Sequence, residues 1–459
     1  MKNQQKNNAQ AQQSTAATYS NVAMLDVKNP IPFEPSGESS VFLFNSREKG
    51  YLKCLDSKDN FFQLLLEAKK LSPTNSACVD SKTNFCIGNG MYIKDGKEDS
   101  AFDEFRKRVN KKGQSLDKLV RSIFDNHFTA GNNFIEVIRG KVGNKKFMWI
   151  VNRSFLDCRL SVPDDDDICQ TAFISREFRK KNSWILDRSK SVELPIYYGD
   201  KDMQWFKSDA GTEHCIFHIK NEVPGYDYYG MPSNMSSLPQ QILEYQQARF
   251  NLDLIGNNMI LGGILTVEGN LTQEEGRKLG KDIISAHTGE GKRGRIAIAT
   301  GNNMKGAAFH QFQTQQEGSF LKLDESVSRK IVDSNNWDKS LYGQHADSSG
   351  MGNGGFAYLS AVFDTKNKTV IEPTREIIKQ DFLNPFFELY DEWMGTNFSD
   401  LDLAFRTVSP ASFIGEIDVN ACLTKDEGRE ILGKPELEDK TKGQEFISTS
   451  KSKKDVSNQ

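Results

Sequence analysis

The sequence lacks any run of eighteen apolar residues, which excludes a membrane-spanning hydrophobic helix. It lacks a Cys-x-x-Cys pair as well. Its seven cysteines (Cys54, Cys78, Cys86, Cys158, Cys169, Cys215 and Cys422) are odd in number and irregularly spaced, which argues against a disulfide framework. The Gln/Asn-rich N-terminus carries no apolar run of the kind a secretory leader needs, so reduced thiols in a cytoplasmic setting are expected. There is no G-x-S-x-G, no H-E-x-x-H and no protein-kinase signature. Positive charge is not in excess: the net charge is −3 and the pI about 6.2, which excludes a protein that wraps a polyanion. Apolar residues are scarce too, at 37% with a mean hydropathy of −0.58. For 459 residues that is low for one globule, and long solvent-bordered helices, disordered ends and oligomer contacts would account for it.

What the chain does have is a long striped helix. Over 238–260 the sequence reads LPQQILEYQQARFNLDLIGNNMI, with apolar or small side chains at Leu238, Ile242, Tyr245, Ala248, Leu252, Ile255 and Met259. Spacings of three and four keep them on one face for six turns. A second ridge of Leu243, Phe250 and Leu254 predicts neighbours on two sides. Ser236 or Ser237 is the expected cap, and Pro239 falls in the first turn, where its missing N–H costs nothing. Such a helix needs a packed partner, within the chain or in a second copy of it.

The remainder orders itself around that helix. Residues 1–28 and 434–459 are polar and of low complexity and are expected to be disordered, the latter with a basic patch at Lys451, Lys453 and Lys454. Between about 30 and 218, helices are predicted at 60–70, 101–111 and 115–128, and strands at 133–139, 147–151, 172–176 and 213–219. This half reads as scaffold. After the striped helix comes a small α/β insert: a strand at 264–267, a helix at 272–286 opened by a Thr272/Glu275 capping box, a second strand at 296–299, and a return of the chain through 307–312. A second long helix follows at 315–335, then a segment, 338–355, with five glycines in eighteen residues. The last long stretch, 356–393, must be kinked or interrupted at Pro373 and Pro385. One short helix is expected at 424–432.

Three patterns invite chemistry. His214 and His218 have the spacing of two helical metal ligands, but the Cys-Ile-Phe between them favours a strand, where they would be ordinary half-buried histidines. Asp164 to Asp167 form an acidic run without the alternation and the glycine of a calcium loop, which reads as a solvated turn. The loop 289–295 (GEGKRGR) lacks the Ser or Thr and the following helix of a phosphate loop. Its Lys292, Arg293 and Arg295 fit a docking surface, or equally a solvated hairpin.

Four stretches, HIKNEVPGYDYYGMP (218–232), IGNNMILGGILTVEGNL (255–271), SPTNSACVDSKTNFCIGNG (72–90) and FTAGNNFIEVIR (128–139), together with the striped helix, resemble in content and order the portal proteins of long-tailed bacteriophages. The resemblance covers roughly residues 60–395. It implies an α+β portal fold in a dodecameric ring at one capsid vertex, a channel for DNA packaging and ejection. It further implies a wing (29–237), a first stem helix (238–260), a clip (261–312), a second stem helix (313–337), a tunnel loop (338–355), a kinked tunnel helix (356–395), and a wing return with a small crown (396–433). The expected partners are further copies of the chain, double-stranded DNA, the terminase large subunit, a head–tail adaptor, the major capsid protein and a scaffold. The expected location is the virion, with host cytoplasm during assembly; no cofactor, metal, membrane or enzymatic activity is implied. Ile242, Tyr245, Leu252, Ile255 and Met259 would pack between subunits. Lys339, Gln344, His345 and Asn353 would face DNA, and Lys292, Arg293 and Arg295 would dock the packaging motor or adaptor. The near-balance of charge in 338–355 favours sliding contacts over binding. The segment is richer in Gly and Ser than is usual in that family. The alternatives are another head–tail connector, a prophage remnant, or a metal-dependent hydrolase using His214, His218 and the aspartate run.

Overall fold

The computed structural model describes residues 41–42, 50–54, 59–94, 99–179, 188–200, 203–256, 263–268, 278, 297–301, 308–311, 317–343, 353–409 and 424. In chain order these form β1 (Val41–Phe42), β2 (Tyr51–Leu52), α1 (Phe61–Leu71), α2 (Pro73–Ile87), β3 (Met91–Ile93), α3 (Ser100–Lys107) and α4 (Leu116–Ala130). Then come β4 (Asn132–Val142), β5 (Lys145–Arg153), β6 (Cys158–Leu160), β7 (Thr171–Ile174), β8 (Val192–Pro195), β9 (Phe206–Lys207) and β10 (Glu213–Lys220). The second half holds α5 (Leu238–Gly256), β11 (Gly263–Glu268), β12 (Ala297–Gly301), β13 (Ala308–Gln311), α6 (Glu317–Ser334), α7 (Asn353–Lys366), α8 (Glu372–Ile378), α9 (Asn384–Met394) and β14 (Leu403–Phe405).

The body is built on the antiparallel sheet β5-β4-β10-β9. Side chains alternate across it, so each strand feeds two cores. Ile135, Val137, Ile150, Cys215 and Phe217 face one core, with α2, α3, α4 and the chain from 363 to 403. Phe134 and Ile216 face the other, with α1, β6, β7 and Tyr229. The first core is dense in aromatic rings: Phe102, Phe105, Phe386, Phe387, Tyr390 and Phe398 pack edge-on or stacked at centroid distances of 4.8–6.4 Å. Fully burying such rings stabilises by about 1.5–3 kcal/mol each. After α9 the chain returns to this core, where β14 pairs with β3.

The long C-terminal helix is interrupted at both prolines, as sequence reasoning expects, without ending there. α7, α8 and α9 are joined by two π turns, Asn367–Ile371 and Lys379–Leu383. Each sits just before a proline, Pro373 in the first turn of α8 and Pro385 in the first turn of α9. A proline ring strikes the carbonyl four residues back in an α-helix; the wider π turn makes room for it. Arg375 fixes the middle segment: its guanidinium is buried and donates to Cys86 O at 2.8 Å and Phe85 O at 2.9 Å, capping the C-terminal carbonyls of α2. Burial lowers its pKa, with nearby Cys86, Glu372 and Tyr92 working the other way.

Four expectations need correction. The helix predicted at 101–111 ends at Lys107, where Arg108 turns extended and Val109 donates to Gln114 O. Neither Ser236 nor Ser237 accepts a capping bond; a 3-10 turn, Met235–Ser237, runs straight into α5, and Ser237 Oγ donates back to Asn234 O. A helix, α2, occupies 73–87, where none is predicted. The glycine-rich segment is shorter than read: Lys339–Tyr342 is a 3-10 turn, capped by Asp338 through Ser340 N at 2.9 Å and anchored by buried Leu341, and α7 begins at Asn353. The predicted helices at 272–286 and 424–432 lie outside the described residues, apart from Lys278, which is helical, and Thr424, which is not. The two predicted insert strands are found as β11 and β12, which pair in parallel, and the returning chain adds a third strand, β13, antiparallel to β11.

Candidate functional site: the root of the long helix pair

Helices α5 and α6 pack on one another and leave the body together. Their root is a buried polar node organised by α2. Ser72 caps α2 by accepting from Asn75 N, and Pro73 fills its first position, so this N-terminus has a strong local signal. The carboxylate of Glu244, from α5, lies against it. It accepts from the hydroxyl of Ser72, from Thr74 Oγ1 at 2.7 Å and from Thr74 N at 3.3 Å. A carboxylate on the free N–H groups of a helix start is favoured by the helix dipole.

One turn on, Asn75 joins both long helices. Its amide donates to Gln241 Oε1 of α5 at 3.0 Å, while its carbonyl oxygen accepts from Asn234 at 2.7 Å and from Asn335, just past α6, at 3.0 Å. Asn335 in turn receives Lys82 Nζ on its backbone oxygen at 3.2 Å and on Oδ1 at 2.9 Å. Asn75, Lys82, Asn234, Gln241 and Asn335 are all buried. Deleting one member of such a network strands the others without partners, at about 1–3 kcal/mol each.

The entry into α5 is fixed by two glycines. Gly131 has φ +66°, and a Cβ there would lie 2.4 Å from the Met231 carbonyl carbon. A Cβ at Gly230 would lie 2.3 Å from Gly131 O. Only glycine permits that approach. Asn132 bridges the gap, donating to Gly230 O at 2.7 Å and accepting from Gly230 N at 2.9 Å. Fully buried Tyr229 pins the same turn, donating to Leu52 O at 2.7 Å and accepting from Leu160 N at 2.9 Å. Thus the FTAGNNF and YYGMP stretches, about a hundred residues apart, meet in space, next to the node that the SPTN stretch makes.

Away from the root, the apolar stripe loses its cover. Leu238 is buried, Ile242 and Tyr245 are half-buried, and Leu252 is 67% exposed. On α6, Val327 and Ile331 are buried near the root while Leu323, farther out, is 41% exposed. The side chains of Ile255 and Asn353, and the whole of Met259, Lys292, Arg293, Arg295, Gln344 and His345, lie outside the described residues. Lys339 is half-buried in its 3-10 turn.

The histidine pair is committed elsewhere. His214 and His218 stand on β10, as the strand reading expects. His214 Nδ1 bonds buried Glu136 at 2.7 Å and Nε2 bonds Thr212 Oγ1 at 2.7 Å. His218 stacks on Phe134 and bonds Asn132 Oδ1 at 3.2 Å. Asp164 to Asp167 form a turn in which Asp164 accepts from Asp166 N, Ile168 N and Gln170 Nε2, and these bonds hold its carboxyl below the usual range. Among the described residues no three His, Cys, Asp or Glu side chains gather as metal ligands do. None of the described helices is long and apolar enough to cross a membrane.

Sequence reasoning missed Asn75, Lys82, Asn234, Glu244 and Asn335. The one local signal was the Ser72-Pro73 start of α2. No protein-family model matches the chain, and no curated protein does. Solved structures are similar to it at low identity. One, from the virion of the native gene transfer agent particle, has 14% identity and a TM-score of 0.49, covering 82% of this chain and 94% of that one. Another, from the neck of the native gene transfer agent particle computed with C12 symmetry, has 14% identity and a TM-score of 0.48 over the same shares. A phage portal protein of the HK97 family from Corynebacterium diphtheriae has 10% identity and a TM-score of 0.40, covering 74% of this chain and 94% of that one.

Proposed function

We propose that this chain is a portal protein of a tailed phage or phage-like particle, a non-enzymatic ring that passes double-stranded DNA through one vertex of the capsid. The observation that carries the proposal is the helix pair. It is rooted rigidly in the body by the Asn75 node and the Asn132–Gly230 lock, yet it carries an apolar stripe that the chain itself stops covering beyond Tyr245. Every copy presents the same two helix flanks, so a stripe covered by the next copy repeats around an axis and closes into a ring. Three of the stretches that resemble portal proteins converge on the root of that pair.

In this reading residues 29–237 and 396–433 are wing and crown, 238–260 and 313–337 are the stem, and 261–312 are the clip. Residues 338–355 form the tunnel loop and 356–395 the helix above it. Ile242, Tyr245, Leu252, Ile255 and Met259 pack between subunits. Lys339, Gln344, His345 and Asn353 line the DNA path, and Lys292, Arg293 and Arg295 meet the terminase large subunit or the adaptor. The capsid protein and a scaffold would border the wing in the virion and in the host cytoplasm during assembly.

Native mass spectrometry of the purified chain tests this. A species of about a dozen copies supports the ring; a monomer that stays monomeric at high concentration, and also when co-expressed with the capsid and scaffold proteins of the same particle, contradicts it.

A further inference from the structure

Beneath the first π turn lies a cavity of about 190 Å³, walled by Lys82, His127, Phe128, Asn335, Thr369 and Pro373 among others. It is independent of the stem stripe. Lys82 is 1% exposed, and a buried ammonium is ordinarily paired with a carboxylate because desolvating an unpaired charge costs several kcal/mol. Among the described residues no carboxylate pairs with it. Its two hydrogen bonds go to the backbone oxygen and Oδ1 of Asn335, both neutral, leaving one of three N–H donors unspent. The Phe128 ring lies 4.7 Å from Nζ and gives only a cation–π contact.

The other wall shows the same deficit. His127 is 7% exposed, and its Nδ1 is buried with no partner among the described residues. The groups that act on Lys82 are the thiols of Cys78 and Cys86 on α2 and the cation of Lys366 on α7, with His127 facing it from α4. Burial keeps both thiols neutral, pushing each up to about 12. So one cation faces a second cation and no anion. Burial drives Lys82 down to about 8 and His127 down to about 4, both against their charged forms. Thr369 brings the π turn to the rim, and single π turns inside α-helices recur at functional sites.

We infer that this cavity is a binding site for a phosphate-class oxyanion, which accepts the free N–H of Lys82 and a hydrogen bond from His127. The anion would supply the missing counter-charge and tie α2 and α4 to the π turn and the end of α6. Its chemistry is shared by free inorganic phosphate and a nucleic-acid backbone phosphate.

The test is isothermal titration calorimetry of the full-length chain with inorganic phosphate, at ionic strength held constant with sodium gluconate. One saturable site per chain is expected. Lys82→Met should weaken it roughly ten- to hundredfold, the loss of one charge-assisted hydrogen bond. His127→Gln keeps the charge and the volume nearly unchanged and should weaken it by a smaller factor, so the test survives if Lys82→Met fails to fold. Affinity should also fall as pH rises through about 8, where Lys82 loses its proton. A short DNA duplex titrated against the phosphate-loaded protein separates the sources: displacement assigns a backbone phosphate and no displacement assigns a free ion, and either upholds the site. Absence of saturable heat, or an affinity unchanged in both variants, overturns it.

Discussion

The body and the helix pair are made of similar elements and differ in who completes them. In the body the aromatic core finds its cover within the same chain: Phe102, Phe134, Phe382, Phe386 and Phe387 are fully or almost fully buried. In the helix pair cover ends after about two turns, and Leu252 and Leu323 stand exposed on a pair held rigidly at its root. A rigid root with an uncovered stripe is the arrangement of an element whose neighbours come from other copies. On the portal reading, the difference teaches that stability and assembly are separable in this molecule, because they would sit on different residues.

Substitutions can break that separation, or sharpen it. The largest loss of monomer stability is expected from Phe386→Ala, which opens a cavity among the rings of Phe105, Phe382, Phe387 and Tyr390, at about 3–5 kcal/mol by denaturant titration. Next comes Asn132→Ala, which leaves the Gly230 N–H and carbonyl without their partner, at about 1–3 kcal/mol for each group stranded. If that variant also shifts ring formation by more than its lost stability accounts for, the lock at the root serves assembly as well.

A smaller effect should follow pH. Burial holds His127 neutral, with a folded pKa of about 4 against an ordinary value of about 6.5. Between those values the unfolded chain binds the extra proton, so His127 contributes stability above about pH 6.5 that is lost as pH falls toward 4. The slope from this one group approaches about 1.4 kcal/mol per pH unit. Thermal unfolding midpoints of the wild type and His127→Gln should therefore diverge across that window; parallel curves would place no such burden on His127.

The smallest effect on the monomer is expected from Leu252→Asp, within about 0.5 kcal/mol for an exposed site, although it should abolish ring assembly by placing a charge between packed helices. A variant that assembles normally would remove Leu252 from the interface. Reversing charge at Lys292, Arg293 and Arg295 should leave stability and ring alike untouched and weaken only docking of the motor or adaptor, read by co-sedimentation with each.

Much of the frame was legible in the sequence, because periodicity reports burial directly. The apolar runs of 133–139 and 213–219, short and bounded by turn residues, mark strands buried between two cores, and the three-four spacing of 116, 119, 123 and 127 marks a helix face that meets one. Helix α2 was not legible, since it buries Asn75, Ser81, Lys82 and Thr83 as deeply as Cys78 and Val79 and so has no apolar face to read. The polar node was equally hidden: its bonds join residues 101 to 260 positions apart, and nothing local marks Asn234 or Asn335. The prolines were legible as interruptions, and each is met by a π turn that absorbs the clash without ending the helix. Of the stripe residues, Leu238 is buried and Ile242 and Tyr245 half-buried, as the spacing expects, while Leu252 is exposed, and a sequence does not display what would cover it.

The most direct measurement is an electron-microscopy reconstruction of the purified assembly at side-chain resolution. The expected result is a closed ring around a central channel, with Leu252 of every copy in van der Waals contact with a neighbouring copy. A ring in which Leu252 and Leu323 remain bathed in solvent would contradict the division between a self-sufficient body and a helix pair completed by its neighbours.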